Sequence, residues 1–283
     1  MKKKSEILPN NICFITHQLE HLHNVSVSIS FKAGSLYESK YNNGISHLVE
    51  HLFFRQLSDL SQESLYFNMQ KIGGEITGKT YCDYVTFSIN VIPQYLYDAL
   101  DIMLKFFDDF EWSNSIILKE KEVVLRQIEN KAYSYNQWID SIYFDNTKYT
   151  LPIMGTQKTV KSLTAFEINS WKKEYFSPTN SCVTITGNFS NEFYDFLKQK
   201  LSIINNFGKK QAPIIEIAPN FTKRNSDNYL TVINADSKLS EVVVLFDIKN
   251  TFDYESVKLI TSILSDGCGS KLSMIMREKY QLT

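Results

Sequence analysis

Apolar residues recur at two different spacings along this chain, and each spacing predicts a different kind of element. Alternation at every second residue, or a dense run of β-branched and aromatic residues, predicts a strand. The strands predicted in this way cover residues 12–15, 25–31 and 75–91. Apolar residues three and four positions apart predict a helix. The helices predicted in this way cover residues 61–72, 95–107 and 113–134.

The segment after Gly44 combines a helical apolar face with imidazole and carboxyl side chains. Its apolar positions at helical spacing are Ile45, Leu48, Val49, Leu52 and Phe53. Ser46 is the candidate N-cap of this helix. His47, Glu50 and His51 fall on one face of the same helix. Their functional groups can therefore converge on a single point.

Two histidines and a glutamate in this arrangement are typical of a zinc centre. Neutral imidazoles are good zinc ligands, and a carboxylate that does not ligate can take a proton from the water that zinc activates. The order His-x-x-Glu-His is the inverse of the commoner His-Glu-x-x-His. The competing interpretation is a helix that carries two incidental surface histidines.

The same pattern occurs a second time, at His17, Glu20 and His21. This match lies between the predicted strands 12–15 and 25–31, so we expect it at a strand end and in a hairpin turn. Residues three apart on a strand point to opposite faces, and His17 and Glu20 would not converge there. We therefore favour the match after Gly44 as the functional one.

Composition narrows the classes of protein that fit this chain. Its 283 residues are 43% hydrophobic with a net charge of −1, which is ordinary for one large or two medium globular domains. No charge excess points to nucleic acid, and no apolar run is long enough for a signal peptide core or a membrane span. The cysteines are widely spaced, as in a reducing compartment: Cys13, Cys82, Cys182 and Cys268. We expect a cytoplasmic protein.

The helix predicted over 113–134 carries two further candidate side chains. Glu120 and Gln127 are seven residues apart, two helical turns, so they share one face. Spacing alone favours a solvated helix face for these charged and polar residues.

Several segments of the chain, in the same order along the sequence, resemble the inverzincin metallopeptidases of the pitrilysin, insulinase and mitochondrial processing peptidase group, in its smaller bacterial branch. The segments that carry the resemblance are 43–54, 73–87, 120–127, 153–156, 175–180, 182–189, 269–272 and 277–279. The resemblance implies an α+β fold of two homologous α/β layers, each an antiparallel-rich sheet covered by helices.

Carried over to this sequence, the resemblance makes His47 and His51 ligands of Zn²⁺ and Glu50 the general base. Glu120 corresponds to a supporting carboxylate, and Gln127 stands at the third ligand position, where the family has Glu. A neutral amide oxygen is a poorer donor than a carboxylate, so zinc should bind more weakly. Natural loss of activity, a tolerated weak ligand and a deliberate substitution that traps a complex all remain open.

The resemblance also implies a substrate and a partner. The strand after Gly73 would receive an extended peptide by strand addition. Its candidate substrate-binding residues are Gly74, Thr77, Gly78, Lys79 and Thr80. The expected activity is zinc-dependent endopeptidase chemistry, such as leader or precursor peptide maturation, together with an identical or homologous partner half. The alternative is a non-catalytic binding or scaffold subunit, which Gln127 favours.

Linker composition divides the chain. We expect a zinc-binding domain over 1–207, a linker over 208–225, and the incomplete beginning of a second, related domain over 226–283. The elements predicted for the second domain are strands at 230–233 and 241–247 and helices at 254–264 and 271–279.

Overall fold

The fold is described from a computed structural model of the chain, which describes residues 2–130, 148–205 and 253–282. The chain divides into two compact units, Met1–Lys223 and Arg224–Thr283. The domain and linker boundaries given above remain predictions.

A six-stranded sheet forms the centre of the first unit. The strands are β1 (Lys2–Ile7), β2 (Cys13–Gln18), β3 (Val25–Phe31), the short pair β4 (Gln56–Leu57) and β5 (Leu60–Ser61), β6 (Glu75–Thr80), β7 (Val85–Val91) and β8 (Ser181–Gly187). Their order across the large sheet is β1-β2-β8-β3-β7-β6, with β4 and β5 forming a separate small sheet. All neighbours in the large sheet are antiparallel except β2 and β8.

Two strand predictions need correction. The segments 12–15 and 25–31 do not form a hairpin, because β8 lies between them: Cys182 pairs with Cys13 on one side and Ser30 on the other. A strand from so far along the chain leaves no local signal. The predicted long strand 75–91 is a hairpin of β6 and β7, whose turn is closed by the Tyr81 N–H donating to the Tyr84 carbonyl (2.8 Å). That turn contains neither glycine nor proline, so sequence alone did not mark it.

Helices cover one face of the sheet. They are α1 (Ile45–Arg55), α2 (Gln62–Lys71), α3 (Leu96–Leu104), α4 (Asn114–Asn130), α5 (Gln157–Ser162), α6 (Ala165–Tyr175) and α7 (Asn191–Ser202). The predictions for α1, α2 and α3 are confirmed, and that for α4 is confirmed up to Asn130, beyond which it lies outside the described residues. Alternate residues of β3 and β7 are buried beneath these helices, which explains the period of two in their sequences.

Phe53 anchors α1 in the core. Its ring lies 5.1 to 5.5 Å from the rings of Phe87, Phe106, Trp112 and Phe176, measured between centroids. Truncating a fully buried phenylalanine costs about 3–5 kcal/mol of stability. The apolar side of α1 is thereby held, and its opposite side is presented to α4 and β6.

The second unit is described over residues 253–282. It contains α8 (Tyr254–Ser265) and α9 (Lys271–Ser273), which continues into a π-helical stretch (Met274–Lys279). Both predicted helices are confirmed, whereas the predicted linker 208–225 and strands 230–233 and 241–247 lie outside the described residues. Across the described part of both units, no helix has the length and apolar character required to cross a membrane.

Candidate metal centre

The first turn of α1 begins without a side-chain cap of its own. The prediction of Ser46 as the N-cap is wrong. Gly44 takes that position with a left-handed backbone (φ 92°). The cap comes instead from Glu38, whose carboxylate accepts the backbone N–H groups of Gly44 (2.8 Å) and Ser46 (2.9 Å). Burial raises the pKa of the Glu38 carboxyl, and these hydrogen bonds oppose that rise. The Ser46 hydroxyl accepts the indole N–H of Trp171 (3.2 Å).

α1 and α4 bring four of the five predicted centre residues together in pairs. The rings of His47 and His51 lie 4.6 Å apart between centroids. Gln127 Oε1 is 3.4 Å from His47 Nε2, and Glu120 Oε1 is 3.0 Å from His51 Nδ1. Gln127 thus faces His47 and Glu120 faces His51, although the two α4 residues are two turns apart and the two histidines are one turn apart on α1.

Glu120 fixes the orientation of His51. Its other carboxylate oxygen accepts from Arg55 Nε (2.8 Å), and Arg55 also donates to Gln62 Oε1 (2.7 Å). Burial raises the pKa of Glu120, but the contacts with His51 and Arg55 outweigh it and lower the pKa below its ordinary value. A Glu120 carboxylate that accepts from His51 Nδ1–H leaves Nε2 of that ring as the nitrogen with a free lone pair.

Glu50 lies between α1 and β6 and is 8% exposed. Its Oε2 accepts the hydroxyl of Thr80 (2.8 Å) and lies 3.5 Å from His47 Nδ1. Burial raises the pKa of Glu50, but the interactions with His47 and Thr80 outweigh it, so the pKa lies below its usual value. Glu50 is therefore ionised at neutral pH and has a lone pair with which to accept a proton.

The donor atoms present here fit a zinc ion. His47 turns its Nδ1 toward the Glu50 carboxylate, which leaves Nε2, the nitrogen that faces Gln127, as the one able to ligate a metal ion. The 3.4 Å between His47 Nε2 and Gln127 Oε1 is long for a hydrogen bond. It equals the separation of about 3.4 Å expected for two donors each about 2.0–2.1 Å from one tetrahedral zinc ion.

Gln127 is the weak member of this donor set. In the described ranges no three His, Cys, Asp or Glu side chains are grouped so as to hold a metal ion, and the residue at the third ligand position is an amide. An amide oxygen brings no negative charge to a dication. We therefore expect zinc to be accepted by the geometry and held less tightly than by a carboxylate.

The edge strand β6 passes beside Glu50. A Cβ built on Gly78 would lie 2.6 Å from Glu50 Oε1 and 2.5 Å from the ring of Phe54, so a larger residue here would displace one of these side chains. Gly78 and Thr80 share the face of the strand toward Glu50, while Thr77 and Lys79 alternate to the other face. Gly74 precedes the strand and packs against Val91 and Met69. The structure thus brings Gly78 and Thr80 to the centre, but not the side chains of Thr77 and Lys79.

The other His-x-x-Glu-His match is confirmed as a strand end and turn. His17 lies in β2, opposite Lys3 and Thr186 in the sheet. Glu20 and His21 are exposed in the turn that follows β2. These three residues do not lie on a helix, so their side chains cannot converge as those of His47, Glu50 and His51 do on α1.

Sequence reasoning missed two residues that support the centre. Glu38 caps α1 across a loop, and Arg55 holds Glu120 across two helices. Arg55 follows His51 by one helical turn, which is a signal that could have placed it on the same face. No spacing rule points to Glu38, because its contacts cross an irregular segment.

Two family models match the chain. The model described as Insulinase (Peptidase family M16) matches residues 14–157, and the one described as Peptidase M16 inactive domain matches residues 162–283.

Among curated proteins, the chain is 26% identical over 192 residues to the uncharacterized zinc protease YmxG of Bacillus subtilis, covering 65% of this chain and 46% of that protein. It is 23% identical over 283 residues to an uncharacterized zinc protease of Rickettsia felis, covering 97% and 66%. It is 25% identical over 168 residues to the mitochondrial-processing peptidase subunit beta of Saccharomyces cerevisiae, covering 58% and 36%. The chain thus spans less than two thirds of the length of each of these relatives.

Solved structures share the fold. A protease from Helicobacter pylori superimposes with a TM-score of 0.77 at 19% identity, covering 99% of this chain and 69% of that one. The peptidase M16 inactive domain from Pseudomonas fluorescens gives 0.76 at 14% identity, covering 100% and 69%. The α+β fold with an antiparallel-rich sheet covered by helices, which the resemblance implied, is therefore confirmed.

Proposed function

Because this chain belongs to peptidase family M16, we propose that it is a zinc-dependent endopeptidase that cleaves an extended peptide. The observation that carries the proposal is the convergence of His47, Glu50 and His51 of α1 with Gln127 of α4. The similarity to proteins named zinc proteases supports the same chemistry.

In the proposed centre, His47 and His51 would hold zinc through their ring nitrogens and Gln127 would hold it through its amide oxygen. Zinc, when bound, acidifies a water molecule and polarises a peptide carbonyl. Glu50 would be the proton acceptor for such a water, and the Thr80 hydroxyl donates to the Glu50 carboxylate and holds it in place. Glu120 keeps the His51 ring in the orientation and tautomer needed for ligation.

The proposed peptide site is the open edge of β6. This strand ends the six-stranded sheet, so one row of its backbone N–H and C=O groups has no partner strand among the described residues. An extended peptide can pair with that row by strand addition. Gly78 keeps the strand close to Glu50, which would bring a paired peptide bond near the carboxylate that accepts the proton.

The second candidate function is a non-catalytic binding or scaffold subunit. Gln127 favours it, because loss of the third anionic ligand weakens zinc binding. The intact His47, Glu50, His51 and Glu120 favour the enzyme, since the fold itself does not require all four at these positions.

A partner is part of the proposal. The similarity to a mitochondrial-processing peptidase subunit beta supports a paired arrangement, with an identical or homologous second half. Maturation of a leader or precursor peptide in the cytoplasm is the biological setting that we propose.

The two histidine motifs provide the test, because they differ in placement and not in residue type. The purified chain should retain about one zinc per molecule after zinc supplementation and removal of loosely bound metal. His47→Ala should lose that zinc, whereas the matched control His17→Ala should keep it. Elemental analysis of the three proteins decides the assignment; zinc that depends on His17 would reverse it, and a chain without zinc would support the scaffold.

A further inference from the structure

Glu38 is a buried carboxylate with a specific set of donors. It is 2% exposed. Oε1 accepts the Ser46 backbone N–H (2.9 Å), and Oε2 accepts the Gly44 backbone N–H (2.8 Å) and the Asn43 side-chain amide (2.9 Å). No ion pair of Glu38 occurs among the described residues. Its backbone donors belong to the N-terminus of α1, where the positive end of the helix dipole lies.

The opposite side of the same helix terminus is also fixed. The Asn43 side-chain amide donates a second hydrogen bond to the Pro152 carbonyl (2.9 Å). The backbones of Gly44 and Gly155 are in close contact, so that a Cβ on Gly44 would lie 2.7 Å from Gly155 Cα. The first turn of α1 is thus held between Glu38 and the 152–155 segment.

The part of α1 that Glu38 holds is adjacent in sequence to the proposed centre. Ser46, whose N–H donates to Glu38, immediately precedes His47. A rotation of the first turn would carry His47 away from Gln127 and Glu50 away from Thr80, because His47 and Glu50 both lie on α1. Phe53, whose ring packs against Phe87, lies about two turns further along α1.

We propose that Glu38 is a positioning residue for the metal centre: its carboxylate holds the first turn of α1 so that His47 and Glu50 face Gln127 and Thr80. This inference rests on the proposed function for its effect on zinc, but its effect on α1 does not require metal.

Glu38→Gln is the sharpest test, because it keeps the size of the side chain and changes one acceptor into a donor. The new NH₂ group must face either the Ser46 N–H or the Gly44 N–H, so one buried donor loses its partner. The matched control is Glu167→Gln. Glu167 also caps a helix, accepting the backbone N–H of Thr164 at the start of α6 (2.7 Å).

We expect the dissociation constant for Zn²⁺ to rise at least tenfold in Glu38→Gln and to stay within twofold of the parent in Glu167→Gln. In metal-free protein, amide hydrogen exchange over residues 44–50 should accelerate in Glu38→Gln, with α4 unchanged. A Glu38→Gln protein that binds zinc as the parent does, or an equal rise in Glu167→Gln, overturns the proposal.

Failure of the two proposals can be told apart. A parent chain that binds no zinc contradicts the proposed function, and hydrogen exchange then decides the role of Glu38 alone: unchanged exchange over 44–50 rejects it. If Glu38→Gln does not fold, Glu38→Asp takes its place. It keeps the charge but is one methylene shorter, so it cannot reach both backbone donors, and the same two measurements decide in the same way.

Discussion

At the scale of single residues, the charge at position 127 is the strongest determinant of the proposed chemistry. Gln127→Glu adds a negative charge 3.4 Å from His47 Nε2 with almost no change in side-chain volume. We expect the zinc affinity to rise at least tenfold, about 1.4 kcal/mol, and peptide hydrolysis to appear or increase. A zinc titration and a peptide-cleavage assay on both proteins measure this.

Two further variants sharpen that experiment. Gln199→Glu makes the same change on an exposed face of α7 and should alter neither zinc affinity nor hydrolysis. Glu50→Gln, added to Gln127→Glu, should remove hydrolysis and leave zinc bound, because Glu50 is assigned to proton transfer. Unchanged zinc affinity in Gln127→Glu would mean that position 127 does not contact the metal.

The residues at the centre differ in how far sequence could predict them. His47, Glu50 and His51 fall on one face by helical spacing, whereas Glu120 and Gln127 were assigned to the centre by the family resemblance and not by their spacing. Glu38 and the contact of Thr80 with Glu50 depend on how separate segments meet, which no local period encodes. Local periodicity therefore predicts the side chains of one helix, but not the contacts between helices, strands and loops.

At the scale of elements, Lys172 ties α6 to the segment that leads into α4. Its ammonium donates to the carbonyls of Phe110 (2.5 Å) and Asp108 (3.4 Å) and lies 3.4 Å from the centre of the Phe110 ring. Lys172 is 3% exposed, and burial lowers its pKa to about 7. The helix is thus attached through a group that loses its charge near neutral pH.

This pKa predicts a dependence of stability on pH. Between about pH 7 and the ordinary lysine value, the unfolded chain binds a proton that the folded chain does not, so the free energy of unfolding rises with pH. The slope approaches about 1.4 kcal/mol per pH unit. Lys172→Met should lose this slope, so its stability relative to the parent should be greatest near pH 6 and decline toward pH 10.

Denaturant unfolding at a series of pH values measures this difference. Lys173→Met is the matched control, because the neighbouring side chain is 58% exposed and its charge is solvated. The control should keep the pH slope of the parent. A parent slope that persists in Lys172→Met would show that another group titrates in this range.

Elements were predicted best where their stabilising contacts are local. The apolar faces of α1, α3 and α4 follow the helical period, so their existence was clear from sequence. Strands β2 and β3 were identified, whereas β1 was not, and the strand order could not be predicted because β8 joins the sheet from the far end of the first unit. Pairing between distant strands depends on tertiary packing, which period-two alternation does not specify.

At the scale of the whole molecule, the second unit presents apolar side chains to solvent. None of the apolar residues described over 253–282 is fully buried. Those that are at least half exposed include Leu259 (62%), Ile260 (52%), Ile263 (52%) and Met274 (50%). Apolar surface of this kind marks contact sites.

We therefore expect the isolated 283-residue chain to hydrolyse an extended peptide slowly, even when it contains zinc, and to associate as its concentration rises. A homologous partner half should suppress the association and accelerate hydrolysis. Light scattering and a cleavage assay, with and without the partner, measure both effects. A stable monomer with full turnover would contradict this expectation.

The position of β8 also has a consequence for synthesis. Translation delivers β2, β3 and α1 long before β8, yet β8 pairs with both β2 and β3. Until residue 187 has left the ribosome, β2 and β3 each expose an unpaired edge, and such an edge is a template for aggregation. The helix with the two histidines, α1, is thus synthesised early, but the sheet on which it packs is complete only after β8 has been synthesised. A transcript that stops before β8 would yield a product with open strand edges, which chaperones would have to protect or proteases remove.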